Sequence, residues 1–314
     1  MKPAFFYHPG YNYGRGIPGL PKQIHGFVRN KAHRIRRALL ASRQLTPSDF
    51  TAAKSLAFSD LEAIHTPALI AQLQDAKAVA KAIELPPLAW LPSTLVRHIV
   101  VRPQLRGAGG TCAALEVAAT GRWAFNLGGG YHHARPDYSH GFCLIADVAL
   151  AVERLRSQGR PRRVLVLDLD LHQGDGNAAA FANDPEVFTA SLHEEAVFPF
   201  PKFKSDLDIG LASELGDAAY LDQLMRCFER IEQRFHPEIL VYVAGSDPYE
   251  GDPMGTLRIS REGMAERDRR VAHFALRQGA ALVALTAGGY SEESPEITAH
   301  GYLEMMALAP ETSM

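Results

Sequence analysis

From residue 111 onward, the chain alternates short apolar runs with stretches of helical periodicity, and this alternation sharply limits the folds open to it. It is typical of an α/β protein in which a mostly parallel sheet carries helices on both faces. The apolar runs predict strands over residues 123–127, 163–171, 187–192, 239–244 and 281–286. The periodic stretches predict helices over residues 141–158, 218–235 and 261–278, and a last helix from about residue 295.

The first 110 residues lack this alternation and are predicted to form mostly helical and loop elements. Amphipathic helices are expected over residues 30–42 and 67–84, and Ser59-Asp60-Leu61-Glu62 has the spacing of a helix-capping box. Residues 85–110 contain four prolines and three glycines, which predict largely irregular surface chain.

The length of 314 residues is compatible with one large α/β domain, and the sequence has no internal repeat. We therefore expect a single catalytic domain over residues 1–314, with the alternating core over residues 111–314.

Composition narrows the classes of partner. The 33 lysines and arginines against 35 acidic residues give a net charge of −2, so neither nucleic acid nor a membrane surface is an expected partner. No apolar run approaches the roughly 18 residues of a spanning helix. The start of the chain does not resemble a secretory signal, and Cys112, Cys143 and Cys227 form no paired motif. A cytoplasmic protein is the prediction, and the oligomeric state stays open.

Three polar residues interrupt the most apolar segment of the chain, between Val164 and His172. Because side chains alternate along a strand, Asp168, Asp170 and His172 share one face and leucines occupy the other. Two neighbouring buried carboxylates are costly unless a cation or several donors compensate them. The pattern therefore indicates a divalent metal bound by Asp170 and His172, with Asp168 placed to bind a second cation or to orient a histidine. The alternative is a pair of acids that cap the next helix.

Asp247 follows a second buried run, residues 239–244. A lone aspartate at that place is more often a helix cap or a turn residue. However, adjacent parallel strands deliver their ends to the same edge of a sheet. Asp170, His172 and Asp247 would then make three protein ligands, with open positions for water and substrate.

Two further strands end in glycine-rich turns that carry polar side chains. Three glycines at 128–130 precede the adjacent His132 and His133, and an irregular backbone there would let both histidines face a metal site. Such histidines can take a proton from water and return it to a leaving amine. Tyr290 follows a second glycine turn and could donate to a developing oxyanion. The alternatives are unrelated loop histidines and a packing tyrosine.

Six short segments, in order and spacing, resemble the histone deacetylase family over most of residues 120–290. They are GGGYHHA (128–134), GFC (141–143), LDLDLHQGDG (167–176), SLH (191–193), AGSDPYEGDPMG (244–255) and AGGY (287–290). The proline-rich stretch before them and Gln173 resemble the class IV, histone deacetylase 11-like branch, whereas Asp175 resembles class I. The family implies an arginase/deacetylase-like fold.

The resemblance implies bound metal ions at one end of the sheet. It implies zinc, with iron as the alternative, held by Asp170, His172 and Asp247. It also implies a structural potassium ion near Asp168, Asp170, His172 and Ser191, where the excess negative charge would be offset.

The resemblance also implies the catalytic roles. His132 and His133 match the general acid and base pair, Asp168 and Asp175 match their hydrogen-bonding partners, and Tyr290 matches the residue that polarises the acyl carbonyl. The matching substrate-channel residues are Phe142, Phe198 and Gly130.

The implied activity is metal-dependent hydrolysis of acylated lysine in a protein or peptide, and class IV relatives suggest long acyl chains. An acetylpolyamine or another small acylated amine is the alternative substrate; rim acids such as Glu194, Glu195 and Glu250 would suit it, although a solvated loop is the preferred interpretation of these acids. A non-catalytic acyl-lysine-binding module is less favoured. An arginase-like ureohydrolase with two manganese ions would need carboxylates where this chain has Gly174 and Tyr249.

Overall fold

The computed structural model describes residues 2–12, 23–24, 27–28, 30–160 and 162–310. The strands, in chain order, are β1 Ala4–Phe6, β2 Gln23–Ile24, β3 Phe27–Val28, β4 Phe50–Thr51, β5 Ala124–Asn126, β6 Val164–Asp168, β7 Val187–Glu194, β8 Leu207–Leu211, β9 Ile239–Val243 and β10 Ala281–Leu285. Eight of them form one sheet in the order β4-β1-β5-β10-β9-β6-β7-β8, and every neighbouring pair is parallel. The short β2 and β3 pair with each other.

Helices cover both faces of this sheet. Within the described residues they are α1 Lys31–Ala41, α2 Pro67–Gln72, α3 Ala76–Ala82, α4 Ser93–Val96, α5 Arg102–Ala118, α6 Asp147–Ser157, α7 Asp175–Phe181, α8 Asp217–Glu232, α9 Arg261–Gln278 and α10 Ser294–Leu308. Leu165 and Leu167 of β6 belong to the same core cluster as buried residues of α1, α8, α9 and α10, whereas Val164 and Val166 belong to the cluster that contains buried residues of α5 and α6. The prediction of a single α/β domain with a mostly parallel sheet is confirmed.

The four strands followed by the predicted polar side chains are neighbours at the centre of the sheet, in the order β5-β10-β9-β6. Because these strands are parallel, the segments that follow them emerge at one edge. The predicted strand 163–171 ends earlier, at Asp168, so Asp170 and His172 lie on the irregular chain beyond it.

The N-terminal part departs from its prediction in two respects. Strands β1 and β4 extend the sheet, although mostly helical and loop elements were expected before residue 111. They have three and two residues, which is too short for a period-two pattern to show. The predicted helix 67–84 is two helices, because the Asp75 side chain accepts from the N–H groups of Lys77 and Ala78 and so begins a new helix.

The expectation of irregular surface chain over residues 85–110 is wrong. After a 3₁₀ helix at Pro86–Trp90, a continuous helical run leads from α4 through a π turn into the largely buried α5. The glycines serve close packing: a Cβ atom at Gly109 would lie 2.1 Å from the carbonyl oxygen of Lys54. Glycine therefore marks a tight contact in a helix here, not a break.

Two helices also begin at residues other than those predicted. The helix expected from residue 141 begins at Asp147, because Gly141 and Phe142 have φ angles of 52° and 65° that a right-handed helix excludes. The capping box expected at Ser59 involves Asp60 instead, which accepts from the N–H of Ala57 at the start of a 3₁₀ helix.

No helix in the described part of the chain combines the length and the apolar character that crossing a bilayer would require. Residues 1 and 13–22, which belong to the start examined for a secretory signal, lie outside the described residues.

Candidate active site

Three predicted metal ligands meet at the carboxyl edge of the sheet. Asp170 and His172 follow β6, and Asp247 follows its neighbour β9. The Nδ1 atom of His172 lies 3.2 Å from Asp170 Oδ1 and 3.3 Å from Asp247 Oδ2. All three side chains are buried, and one ligand atom from each lies within 4.8 Å of the others. They form a candidate metal-binding group.

This donor set fits a single zinc ion. Asp247 Oδ2 is buried and accepts no hydrogen bond from a described residue, which is costly for a carboxylate unless a cation lies against it. Tetrahedral zinc with bonds of about 2.0–2.1 Å holds its ligand atoms roughly 3.3 Å apart, close to the separations around His172 Nδ1.

Negative charge dominates this group. Burial raises the pKa of Asp247, and the nearby Asp170 carboxylate raises it further. Burial also opposes ionisation of Asp170, but His132 and His172 hold its pKa well below the usual value. For His172, burial lowers the pKa, yet the two carboxylates outweigh burial and raise it to about 10. A bound cation would offset this excess of carboxylates.

The two predicted histidines lie side by side next to the metal group, with ring centroids 4.0 Å apart. Nδ1 of His132 is 2.9 Å from Asp168 Oδ2, and Nδ1 of His133 is 2.6 Å from Asp175 Oδ1. The remaining nitrogen of His132 is 3.7 Å from Asp170 Oδ1. Each imidazole therefore has a carboxylate within hydrogen-bonding distance of its Nδ1 atom.

The turn that presents these histidines is held by a buried carboxylate. Asp147, the first residue of α6, accepts from the N–H groups of Gly130 and Tyr131 at 2.8 and 2.9 Å. The hydroxyl of Thr111 in α5 donates to the same side chain at 2.6 Å. Two helices therefore set the path of the chain into the histidine pair.

Asp175 has more partners than Asp168. Arg135 donates to Asp175 Oδ2 at 2.6 Å, and Nε2 of His140 lies 2.9 Å from the same oxygen. His133, His140 and Asp175 are the other potential metal-ligand group among the residues described. The guanidinium already bound to this carboxylate opposes a cation there, so we assign the metal to the first group.

The two histidines differ in proton affinity. Burial lowers the pKa of His132, but the carboxylates of Asp168 and Asp170 outweigh burial and raise it to about 9. Burial and the neighbouring His132 lower the pKa of His133 to about 3. These opposite shifts favour the protonated form of His132 and the neutral form of His133.

The turn before Tyr290 is held from two sides. The ammonium of Lys31 in α1 donates to the carbonyl oxygens of residues 287, 288 and 289 at 3.1, 2.6 and 3.2 Å. Asp252 Oδ2 accepts from the N–H groups of Tyr290 and Ser291 at 2.7 and 2.9 Å. Burial raises the pKa of Tyr290 well above its usual value, so its hydroxyl keeps the proton needed for donation.

An apolar cavity of about 320 Å³ opens beside these groups. Gly130, His132, Phe142 and Tyr290 line its polar end. Six apolar residues of its lining come from one segment: Ile83, Leu85, Leu88, Leu91, Ile99 and Val100.

The two predicted channel phenylalanines contact different parts of the site. Phe142 packs at 5.9 Å between ring centroids on Tyr290. Phe198 packs on His133 at 4.9 Å and lies 6.4 Å from His172. The predicted potassium-site residues Asp168 and Ser191 are paired in register on β6 and β7.

Several supporting residues were not found from the sequence: Lys31, Arg135, His140, Asp147, Asp252 and Arg267. Asp147 and Asp252 lie inside the quoted motif region, close after GFC and Asp247, and could have been singled out there. Lys31 belongs to a basic helix 256 residues from Ala287, and nothing in the sequence pattern connects the two.

The interpretation of Glu194, Glu195 and Glu250 as acids of a solvated loop is wrong for Glu194. Its side chain is buried and accepts from the hydroxyls of Ser213 and Thr256, both at 2.6 Å. Tyr249 does not supply a second metal ligand, since its hydroxyl donates to Glu293.

A central parallel sheet, three converging candidate metal ligands and two carboxylate-oriented histidines define an α/β protein with a candidate metal centre. The chain belongs to the histone deacetylase family, because the histone deacetylase domain matches residues 25–306. It is accordingly a hydrolase that acts on amide bonds.

Individual relatives agree with this assignment. The chain is 31% identical to histone deacetylase 2 of Arabidopsis thaliana over 92% of its own length and 75% of that protein. It is 32% identical to a probable deacetylase of Archaeoglobus fulgidus over about half of each chain, 52% and 48%.

Solved structures share the fold. A histone deacetylase homologue from Aquifex aeolicus superposes with a TM-score of 0.76 at 23% identity, covering 98% of this chain and 84% of that one. An acetylpolyamine aminohydrolase from Burkholderia pseudomallei gives 0.71 at 21% identity, covering 98% and 99%.

Proposed function

We propose that this protein is a zinc-dependent lysine deacylase that prefers acyl chains longer than acetyl. One observation carries the proposal: the group formed by Asp170, His172 and Asp247 lies beside two oriented histidines, and one of these, His132, lines an apolar cavity of about 320 Å³ together with Tyr290. This volume falls in the range of sites for small ligands and exceeds what a two-carbon acetyl group fills.

The proposed chemistry divides roles among the residues of the chain. When bound, zinc supplies Lewis-acid activation of water and of the acyl carbonyl. His133, for which the lowered pKa favours the neutral form, takes the proton from the attacking water. His132, for which the Asp168 carboxylate favours the charged form, stabilises negative charge that develops on the substrate.

Tyr290 donates its hydroxyl hydrogen to the oxyanion, and the protonated His133 then gives its proton to the leaving amine. The removal of one such oxyanion donor typically costs about 100- to 1,000-fold in turnover. Asp175 orients His133, and Arg135 holds Asp175 in turn. The route needs no second metal ion.

Three finer assignments belong to the same proposal. We place the chain in the class IV branch, supported by the resemblance of Gln173 and of the proline-rich stretch before the motifs. A structural potassium ion near Asp168 and Ser191 would offset further negative charge, and iron is the alternative at the catalytic site. A cytoplasmic location is supported by three buried cysteines without disulfides.

The test compares lysine peptides that carry acetyl, octanoyl or myristoyl groups at equal concentration, with acetylspermidine as the polyamine control. We expect faster hydrolysis of the longer acyl peptides, loss of activity on chelation and recovery with zinc. Elemental analysis should find one transition metal per chain. Turnover of acetylspermidine alone would contradict the lysine substrate, and two bound manganese ions would contradict the single zinc.

A further inference from the structure

A fully buried arginine lies directly behind the candidate metal site. Arg267 of α9 is 1% exposed. Its Nε and Nη2 atoms both bind Asp268 Oδ1 at 2.9 Å. Its Nη1 donates to the carbonyl oxygens of Gly245 and Leu169, at 2.7 and 3.3 Å. One guanidinium therefore binds two turns that belong to different strands.

Those two carbonyls belong to the segments that carry the metal ligands. Leu169 lies between Asp168 and Asp170 just after β6, and Gly245 lies two residues before Asp247 after β9. The Leu169 carbonyl belongs to the peptide group that leads into Asp170. Fixing both carbonyls therefore fixes the distance and the tilt between the backbones from which the two ligand carboxylates extend.

A space-filling role does not explain this residue. Burying a guanidinium is expensive, and apolar residues of similar volume often stabilise such positions equally well or better. The same helix fills other buried positions with Val271 and Phe274. A planar guanidinium has a property that these lack, because its donors point in fixed directions to Asp268 and to two carbonyls at once.

The arginine is itself held in place. Tyr242 of β9 donates its hydroxyl to Asp268 Oδ1 at 2.5 Å, so the carboxylate that binds Arg267 is attached to the sheet. The guanidinium carbon lies 5.6 Å from the centre of the Tyr242 ring. The group formed by Arg267, Asp268 and Tyr242 is thus a continuous connection from α9 to the ends of β6 and β9.

We propose that Arg267 is a positioning residue for the metal site, which holds the ends of β6 and β9 at the spacing that lets Asp170 and Asp247 reach one ion. As far as zinc is concerned, this inference rests on the proposed function. The residue touches neither the substrate nor the metal ligands' side chains, and it acts through the two peptide groups.

The experiment measures zinc affinity by competition with a chromogenic chelator, together with thermal unfolding of the metal-free protein. The variants are Arg267→Lys, Arg267→Met, and Arg267→Met combined with Asp268→Asn so that no unpaired carboxylate stays buried. The control is Phe274→Leu, a buried substitution in the same helix that packs on Phe228 away from the site. We expect zinc to bind about 10- to 100-fold more weakly in both methionine variants, as is typical when support around metal ligands is lost.

The zinc affinity of Arg267→Lys should lie between that of the methionine variants and that of the wild type. Phe274→Leu should lower the melting temperature without a change in zinc affinity. Wild-type affinity in the combined variant would overturn the proposal and leave Arg267 a purely structural residue. If the Arg267 variants do not fold, Tyr242→Phe tests the same connection with the loss of one hydroxyl, and an unchanged zinc affinity there would also contradict it.

A crystal structure of the metal-free combined variant separates this inference from the proposed function. In the wild type His172 Nδ1 lies within 3.3 Å of an oxygen of both carboxylates. We expect these distances to increase in the variant whether or not zinc is the native ion. Unchanged distances would refute the positioning role, whereas failure of the wild type to bind zinc would refute only the identity of the metal.

Discussion

The candidate site has a polar half and an apolar half, and the two are built differently. The polar half lies on the segments that follow four central parallel strands, and buried hydrogen bonds hold the side chains of His132, His133 and Asp170. Much of the apolar half comes from residues 83–100, which include a 3₁₀ helix and a helical run outside the sheet. The difference suggests that the sheet determines the reaction, while a separate segment determines which acyl group fits.

The strongest test of the polar half is the removal of a metal ligand. Asp247→Ala should lose bound zinc and lower deacylation by more than about 1,000-fold on every acyl length, because a Lewis acid supplies several kcal/mol to the transition state. Elemental analysis and peptide hydrolysis measure the two effects. The control is Asp222→Asn, which removes an exposed carboxylate of α8. If Asp247→Ala kept both its zinc and its activity, Asp247 would not be a metal ligand that the reaction needs.

The next effect separates proton transfer from metal binding. His133→Ala should retain zinc and lose about 100- to 10,000-fold in turnover, the usual contribution of a general acid or base. The loss should be equal for acetyl and octanoyl peptides, since the residue acts on the scissile bond. Equal turnover of His133→Ala and wild type would exclude it as the base.

Tyr290→Phe removes a single hydroxyl from the polar half. We expect a decrease of about 100- to 1,000-fold in turnover with unchanged zinc content, because one oxyanion donor is lost. The ring still packs on Phe142, so substrate KM should change little. A large rise in KM with normal turnover would instead make Tyr290 a binding residue.

The smallest predicted effect tests the apolar half. Leu88→Trp narrows the cavity wall, so hydrolysis of octanoyl and myristoyl peptides should decrease about 10-fold or more, while acetyl hydrolysis changes little. The matched control is Leu95→Trp, an exposed position of the same segment that does not line the cavity. An equal decrease on all acyl lengths would contradict the division into two halves.

The sequence predicted the polar half better than the apolar half, for a physical reason. Strand runs and period-two alternation are local patterns, so residues such as Asp168 and Asp247 were recognised at the ends of buried strands. Residues 85–110, which contain most of the cavity wall at 83–100, were expected to be irregular, because prolines and glycines usually mark loops. In this protein Gly109 permits close helix packing instead, and no local pattern distinguishes the two uses.

Supporting contacts were the least predictable part of the site. Arg135 and His140 share Asp175 across 40 and 35 residues, and Lys31 reaches the Tyr290 turn across more than 250. A side chain's partner at such a separation depends on where helices pack on the sheet. Charge and hydropathy along the chain carry no record of that placement.

By itself, the sequence determined the alternating α/β architecture and the polar residue types at the ends of the central strands, because both follow from side-chain periodicity and local burial. Only the tertiary structure decided that Asp170, His172 and Asp247 share one point, that β1 and β4 complete the sheet, and that Arg267 binds the two ligand turns together. These are distances between remote segments, and they exist only once the helices and strands have packed.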